Sequence, residues 1–440
     1  MQDPSQMHFV SWMRRAAPYI HAFRGKTFVL AFGGEVMQSE AATALAHDCN
    51  LLAALGIRLV LVHGARPQIE AELARRALTG RYHRGQRVTD AAALECVKAA
   101  MCVTRLEIEA LLSQGLPDTP MAGAYMRVTG GNFITAKPVG VVDGVDFQYT
   151  GTVRKIIAEE IAADLDQQNV VLISPIGTSP SGEIFNLSME EVAQAVAVAL
   201  KAEKLIYLTD AAGVANEAGE VLHALTADEA DKILHERSDL TEDQGLYLPC
   251  AVAAVRGGVA RAHLIDRACD GGLLLEFFTR EGVGTLVTRD ALARLRPATL
   301  EDVGALVSII SPLESDGTLV RRSRELLQME AERFMLLEHD GMPVGCAALY
   351  PFSDDEAAEL ACLAVRSEYR REGYGEMLLE YAAERARSMG LKRLFVLTTR
   401  TADWFRERGF TEVGVDQLPA QKRELYNFQR RSKVLARPLR

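Results

Sequence analysis

Apolar and polar positions along this chain switch between two periods. Short apolar runs at residues 27–32, 58–62, 170–174, 204–209 and 262–265 read as buried strands. Longer stretches with apolar residues at helical spacing, 40–55, 90–112, 189–200 and 248–256, read as helices. Strands apolar on both faces, alternating with helices, predict a mainly parallel sheet covered on both sides. Ahead of them Phe9, Trp12, Met13, Ala16 and Ile20 recur near helical spacing, and Pro18 is expected to end or kink that helix. An amphipathic helix in this position docks on another subunit or packs on its own domain.

Near residues 285–296 the alternation stops and a second unit opens. It reads as helices at 300–310 and 322–331, then a hairpin turning at Asp340-Gly341. A strand at 359–365, a helix at 376–389, a strand at 394–399, a helix at 401–408 and a last strand at 433–436 follow. The division expected is an N-terminal helix (1–24), a first domain (25–287), a connection (288–296) and a second domain (297–440).

Charge sharpens that division. Of the 49 basic and 59 acidic residues, 24 of each lie from Thr288 onward, so the whole net charge of −10 sits before it. An acidic first domain argues against a nucleic-acid partner. No apolar run reaches membrane-spanning length, and no basic segment followed by an apolar run opens the chain, so neither a membrane partner nor a secretory signal is expected. Seven scattered cysteines without a C-x-x-C pair fit a reducing cytoplasm and argue against a structural metal site.

The chemistry concentrates at Cys362-Leu363-Ala364-Val365 and the following Arg370-Arg371-Glu372-Gly373-Tyr374-Gly375. A glycine-rich turn opening a helix offers backbone N–H groups to an anion, and glycine lets a pyrophosphate approach the main chain closely. R-x-x-G-x-G in this setting resembles the acetyl-coenzyme A loop of the GNAT acetyltransferases, as does the order of elements from about Arg296 to Arg440, including Trp404-Phe405-Arg406-Glu407-Arg408-Gly409-Phe410. The resemblance implies acetyl-CoA as cosubstrate. Main-chain groups of Cys362, Leu363 and Val365 would hold its thioester and pantetheine arm, and Arg370, Arg371, Gly373 and Gly375 its pyrophosphate.

Acetyl transfer to an amine needs a neutral amine, a route for its proton and a stabilised oxyanion. Glu359, opening the key strand, is the candidate base; N–H groups of Leu363 or Ala364 are candidates for the oxyanion. Many GNAT enzymes place an acidic tyrosine where this chain has Phe405, so the general acid stays open between Thr398, Tyr426 and water. Cys362 lies in an apolar run with no basic neighbour in sequence and is expected to be structural, not a nucleophile.

The blocks Leu319-Val320-Arg321-Arg322-Ser323-Arg324-Glu325 and Tyr426 to Leu435 are similar to those of the bacterial N-acetylglutamate synthases. That similarity implies L-glutamate as acceptor, with its two carboxylates on Arg322 and Arg430, each able to bind bidentately, and with Ser432 and Thr398 beside them.

Residues 25–287 resemble the amino-acid kinase family through Phe28-Val29-Leu30-Ala31-Phe32-Gly33-Gly34, Leu61-Val62-His63-Gly64-Ala65-Arg66-Pro67, Leu208-Thr209-Asp210-Ala211-Ala212-Gly213-Val214 and Leu273 to Thr279. The kinase lysines are replaced by Ala31 and Cys250, and phosphate-facing glycines by Ala65 and Arg66, so a fold kept for binding without phosphoryl transfer is expected. The combination implies α/β architecture: a three-layer kinase-like domain with a mainly parallel sheet, followed by a GNAT α+β domain. It also implies L-arginine as inhibitor, in a pocket formed by Tyr19, Lys204, Glu276, Gly282 and Gly284. A homo-oligomer, a hexamer being one size, would assemble through the N-terminal helix and kinase-like domain. Two readings of other classes compete: a non-catalytic arginine sensor that regulates a partner, and a protein-lysine acetyltransferase.

Overall fold

The computed structural model of the chain describes residues 4–115, 117–279, 282–370, 372–427 and 431–439. It divides into two compact units, Met1–Asp290 and Ala291–Arg440.

In the first unit, Thr27–Phe32 is the central strand of an eight-stranded sheet. It pairs in parallel with Arg58–His63 on one side and Lys204–Thr209 on the other. Val170–Ile173 and Arg261–Asp266 extend the sheet outward, also in parallel, and Thr285–Thr288 pairs antiparallel with Arg261–Asp266, one strand in from the edge strand Ala224–Thr226. Pleating sends Phe28, Leu30 and Phe32 into one core and Val29 and Ala31 into the other. Each face is covered: Met189–Ala199 and Glu242–Arg256 lie on the Val29 side, Ala41–Ala54 and Gly272–Phe278 on the Phe28 side. This is the three-layer, mainly parallel arrangement that two-sided apolar strands require.

The N-terminal helix differs from expectation. It runs unbroken from Pro4 to Phe23 with Pro18 inside it. The backbone bond that Pro18 cannot make is offset by packing beyond it, where Phe23 meets Phe28 and Phe278 edge-on. A separate four-stranded sheet, built from Ile134–Pro138, Gly151–Ile156, Ile176–Thr178 and Ile184–Asn186, was not evident in the apolar pattern because its strands are short and partly exposed.

The second unit is a seven-stranded sheet in the order Ala293–Pro297, Phe334–His339, Met342–Phe352, Ala357–Val365, Arg393–Thr398, Lys433–Pro438, Thr411–Val413. The hairpin turns at Asp340-Gly341, both at positive φ as a tight two-residue turn demands. Helix Tyr374–Ser388 buries Leu378, Leu379, Ala382, Ala383 and Ala386 against one face. Helix Val303–Ser315 covers part of the other with Leu306, Ile309 and Ile310. Helix Arg324–Met329 begins later than the apolar pattern suggests, because the Ser323 hydroxyl accepts the Leu326 N–H and caps it. Arg322 is thereby left in the preceding loop. This is the GNAT α+β layout.

Candidate functional site

Two adjacent parallel strands part company at the centre of the second sheet. Ala357–Val365 pairs with Arg393–Thr398 only through Ala357, Ala358 and Glu359. Beyond Glu359, residues 360–365 run on along the gap, and their main-chain groups face an opening of the kind an extended ligand fills by adding to a strand edge. On its other side the same strand carries an extra residue: Cys346 pairs with Ala364 and Ala348 with Ala361. Cys362 takes up the irregularity in the left-handed region, at φ +52. A bulge re-aims the backbone locally, here at Cys362 and Leu363, two of the three residues expected to hold the thioester and pantetheine arm.

The loop that follows leads directly into helix Tyr374–Ser388. Gly373 is its N-cap at φ +74, a conformation that favours glycine. A Cβ on Gly375 would stand 3.2 Å from the Trp404 indole, so the first turn is walled by that ring. The Tyr374 hydroxyl meets His339 Nδ1, tying the loop to the sheet. Here the first N–H groups of a helix lie at the end of an open strand edge, with Arg370 exposed beside them. The cradle fits a pyrophosphate with a pantetheine arm running toward Cys362. Arg371 lies outside the described residues.

The reacting end of the gap gathers charge. Glu359 is buried, and its carboxylate receives the Lys422 ammonium at 2.7 Å. Its cross-strand neighbour is Tyr350, whose hydroxyl donates to Glu330 Oε2 at 2.7 Å. Arg322 is half-buried on the same face. Burial works against its charge, but the surrounding Cys362, Tyr350 and Glu359 outweigh this and push its pKa up. Its N–H donates to Glu314 Oε1 and its guanidinium to the Val320 carbonyl.

The Cys362 thiol is pushed up to about 11 by burial, with Arg322 opposing and Glu359, Glu314 and Glu330 adding to the rise. A thiolate is therefore scarce at neutral pH. Cys362→Ala is expected to keep acetyl transfer within about threefold of the parent rate; a trapped acetyl thioester on Cys362 in the parent protein would contradict it.

At the end of Arg393–Thr398 the Thr398 hydroxyl accepts the N–H groups of Arg400 and Thr401 and meets Thr401 Oγ1 at 2.8 Å. Thr398 is paired with Lys433, which brings the adjacent Ser432 to the same end of the sheet. The Tyr426 hydroxyl donates to the Ser432 carbonyl at 2.6 Å, so its proton is engaged. Phe405 is core, packed on Phe410 and Trp404. Arg430 lies outside the described residues. Lys422 carried no signal of its own in the sequence.

In the first unit the candidate effector residues form one connected group. Lys204, only 2% exposed, places Nζ 3.0 Å from His263 Nε2 and over the rings of Phe23 and Phe277. His263 Nδ1 in turn donates to Glu276 Oε1 at 2.6 Å. Glu276 Oε2 accepts the N–H groups of Val283 and Gly284, and a Cβ on Gly282, itself at φ +64, would strike it at 2.6 Å. Tyr19 stacks loosely on Phe23 at 6.2 Å and closes the group. Burial and the Lys204 ammonium pull His263 down to about 4. Burial opposes ionisation of Glu276, but hydrogen bonds from His263, Val283 and Gly284 prevail and hold it near 2. His263 was missed in the sequence, where it is one polar residue inside an apolar strand.

The region matching a kinase phosphate site has a different character. Ala31 and Cys250 sit in the core around Tyr207, which stacks on Tyr247. A cavity of about 300 Å³ is lined by Gly33, Gly34, Arg66, Glu190 and Asp243, among others. Arg66 is ion-paired with Glu242. Burial raises the carboxyl groups of Glu190 and Asp243, which face the same space.

A split-strand cradle for an acyl thioester, in a chain that also carries a three-layer kinase-type domain, defines a GNAT acyltransferase of two domains. Residues 26–266 match the amino acid kinase family and residues 304–412 the acetyltransferase (GNAT) family. An amino-acid acetyltransferase of Ralstonia nicotianae is 53% identical over 99% of this chain and 96% of its own length. One from Azotobacter vinelandii is 51% identical over 98% and 99%. The crystal structure of N-acetylglutamate synthase from Neisseria gonorrhoeae complexed with coenzyme A and L-arginine matches with 39% identity and a TM-score of 0.89, over 98% of this chain and 99% of that one. The same Neisseria protein with coenzyme A and N-acetyl-glutamate matches with 40% identity and a TM-score of 0.63, over the same shares. The chain belongs to the amino-acid acetyltransferases, the family of the N-acetylglutamate synthases, and is an acyltransferase enzyme.

Proposed function

We propose that this enzyme transfers the acetyl group of acetyl-CoA to the α-amine of L-glutamate by direct attack, as the first step of arginine biosynthesis, and that L-arginine bound in the kinase-like domain inhibits it. The observation that carries the acceptor is the Arg322 guanidinium on the same face as Glu359, beside the open strand edge. The Neisseria complexes with coenzyme A, L-arginine and N-acetyl-glutamate support it.

In this reading Arg322 and Arg430 each hold one carboxylate of glutamate, with Ser432 as a hydrogen-bond partner. Glu359 takes a proton from the substrate ammonium. The freed amine attacks the thioester carbonyl, and N–H groups of Leu363 or Ala364 stabilise the oxyanion. As the C–S bond breaks, a second amine proton passes to the coenzyme A sulfur, through Thr398 or water. Tyr426 is the weaker candidate for that role, since its proton is engaged by Ser432.

The kinase-like domain then serves as a binding module. Phosphoryl transfer needs unpaired cations at the phosphate; here Ala31 and Cys250 supply none, and Arg66 in the cavity wall is ion-paired with Glu242. Tyr19, Lys204, Glu276, Gly282 and Gly284 are the proposed arginine pocket, and the N-terminal helix with this domain the proposed contact between subunits of a homo-oligomer.

The test is thiol release from acetyl-CoA. Coenzyme A should form with L-glutamate, more slowly when L-arginine is added, and not with a lysine peptide. No release with glutamate would end the proposal.

A further inference from the structure

Buried Glu359 is not alone before substrate arrives. Helix Ala420–Glu424 delivers Lys422 to it, Nζ to Oε2 at 2.7 Å, with the lysine side chain 26% exposed and the carboxylate side chain 9% exposed. The other groups facing Glu359 are Arg322 from the loop before helix Arg324–Met329, Tyr350 from the neighbouring strand and Cys362 from its own strand; Glu314 and Glu330 lie beyond, toward Cys362. Of the two cations facing Glu359 among the described residues, Arg322 is proposed to be occupied by a substrate carboxylate. Lys422 is the one whose charge stays with Glu359 through the reaction.

We infer that Lys422 is a positioning residue for acetyl transfer, holding the Glu359 carboxylate ionised and aimed at the substrate ammonium, and giving its proton a way out to water. This rests on Glu359 serving as the base. In each turnover one ammonium proton moves to Glu359, the N–C bond forms as the C–S bond breaks, and a second amine proton ends on sulfur. The proton on Glu359 then leaves to water on the partly exposed Lys422 side, because a neighbouring ammonium disfavours the neutral acid. Just after the lysine helix the Tyr426 hydroxyl donates to the Ser432 carbonyl, which ties the segment carrying Lys422 to Ser432, a proposed substrate partner.

The experiment is the pH dependence of kcat/KM for glutamate in the full-length enzyme at saturating acetyl-CoA. In Lys422→Met the acidic limb should move up by about one pH unit or more, as expected for loss of a cation at this range. The alkaline plateau should fall by no more than about threefold, and Lys422→Arg should restore the limb. Should Lys422→Met fold poorly, Lys422→Gln reads the same limb. A limb that coincides with the parent's, with the rate lowered equally at every pH, makes Lys422 merely structural and overturns the inference. Glu359→Gln in the same series separates the two ideas. If its residual rate keeps the parent limb, the base assignment itself is wrong. If its limb vanishes while that of Lys422→Met stays put, only the role of Lys422 falls.

Discussion

Glu359→Gln is expected to lower kcat by about 10²- to 10⁴-fold, the range for removing a positioned general base. The KM for acetyl-CoA should change little, because the thioester cradle is backbone and loop around Cys362 and Gly373. The amide keeps the size of the carboxylate. The abandoned Lys422 is already a quarter exposed and can turn its ammonium to solvent, so the fold should survive. Circular dichroism and coenzyme A binding on the same sample check that the loss is chemical. A fall below about tenfold would mean that water alone deprotonates the amine and that Glu359 is a structural ion-pair member.

The second large effect belongs to the kinase-like domain. Glu276→Gln should abolish inhibition by L-arginine while leaving uninhibited turnover near the parent value. It should also destabilise the domain by about 1–3 kcal/mol, because a neutral amide with a single acceptor oxygen replaces the carboxylate that accepts from His263, Val283 and Gly284. The pH dependence of parent stability has a definite sign. Glu276 is held near 2 in the folded chain, below the ordinary 4.5, so its contribution is present above 4.5 and drains as the pH falls toward 2. His263, held near 4 against 6.5, acts the same way, its contribution fading from 6.5 down to 4. Both windows make the unfolded chain the better proton binder. The variant should lose the lower window. Denaturant melts between about pH 3 and 7 test this, and full retention of arginine inhibition in a folded Glu276→Gln protein would remove Glu276 from the effector pocket.

The glycine-rich turn at the start of helix Tyr374–Ser388 was legible because its signal is local. Gly373 needs a left-handed φ and Gly375 close approach, and both sit a few residues from the strand they serve. The expected absence of kinase lysines likewise rests on single side chains, Ala31 and Cys250, at positions that the resemblance marks. The Glu359 partner was not legible. Lys422 is 63 residues away in sequence and reaches Glu359 only through the packing of a five-residue helix. The same holds for His263, where one polar residue in an apolar strand gives no hint that Lys204 and Glu276 will flank it. Pro18 misled because a local rule was overridden by the contacts of Phe23.

The amino-acid sequence by itself determined the two domain types, the central strands of each sheet and the glycine-rich turn that opens helix Tyr374–Ser388. Periodicity, glycine and proline act within a few residues, and burial on two faces leaves little choice of element. Only the tertiary structure decided that the strands part after Glu359, that Cys362 bulges, and that Glu359 and Glu276 are buried with Lys422 and His263 as partners. Those outcomes depend on register and packing between segments far apart in the chain, where many weak contacts are summed and no single residue announces the result.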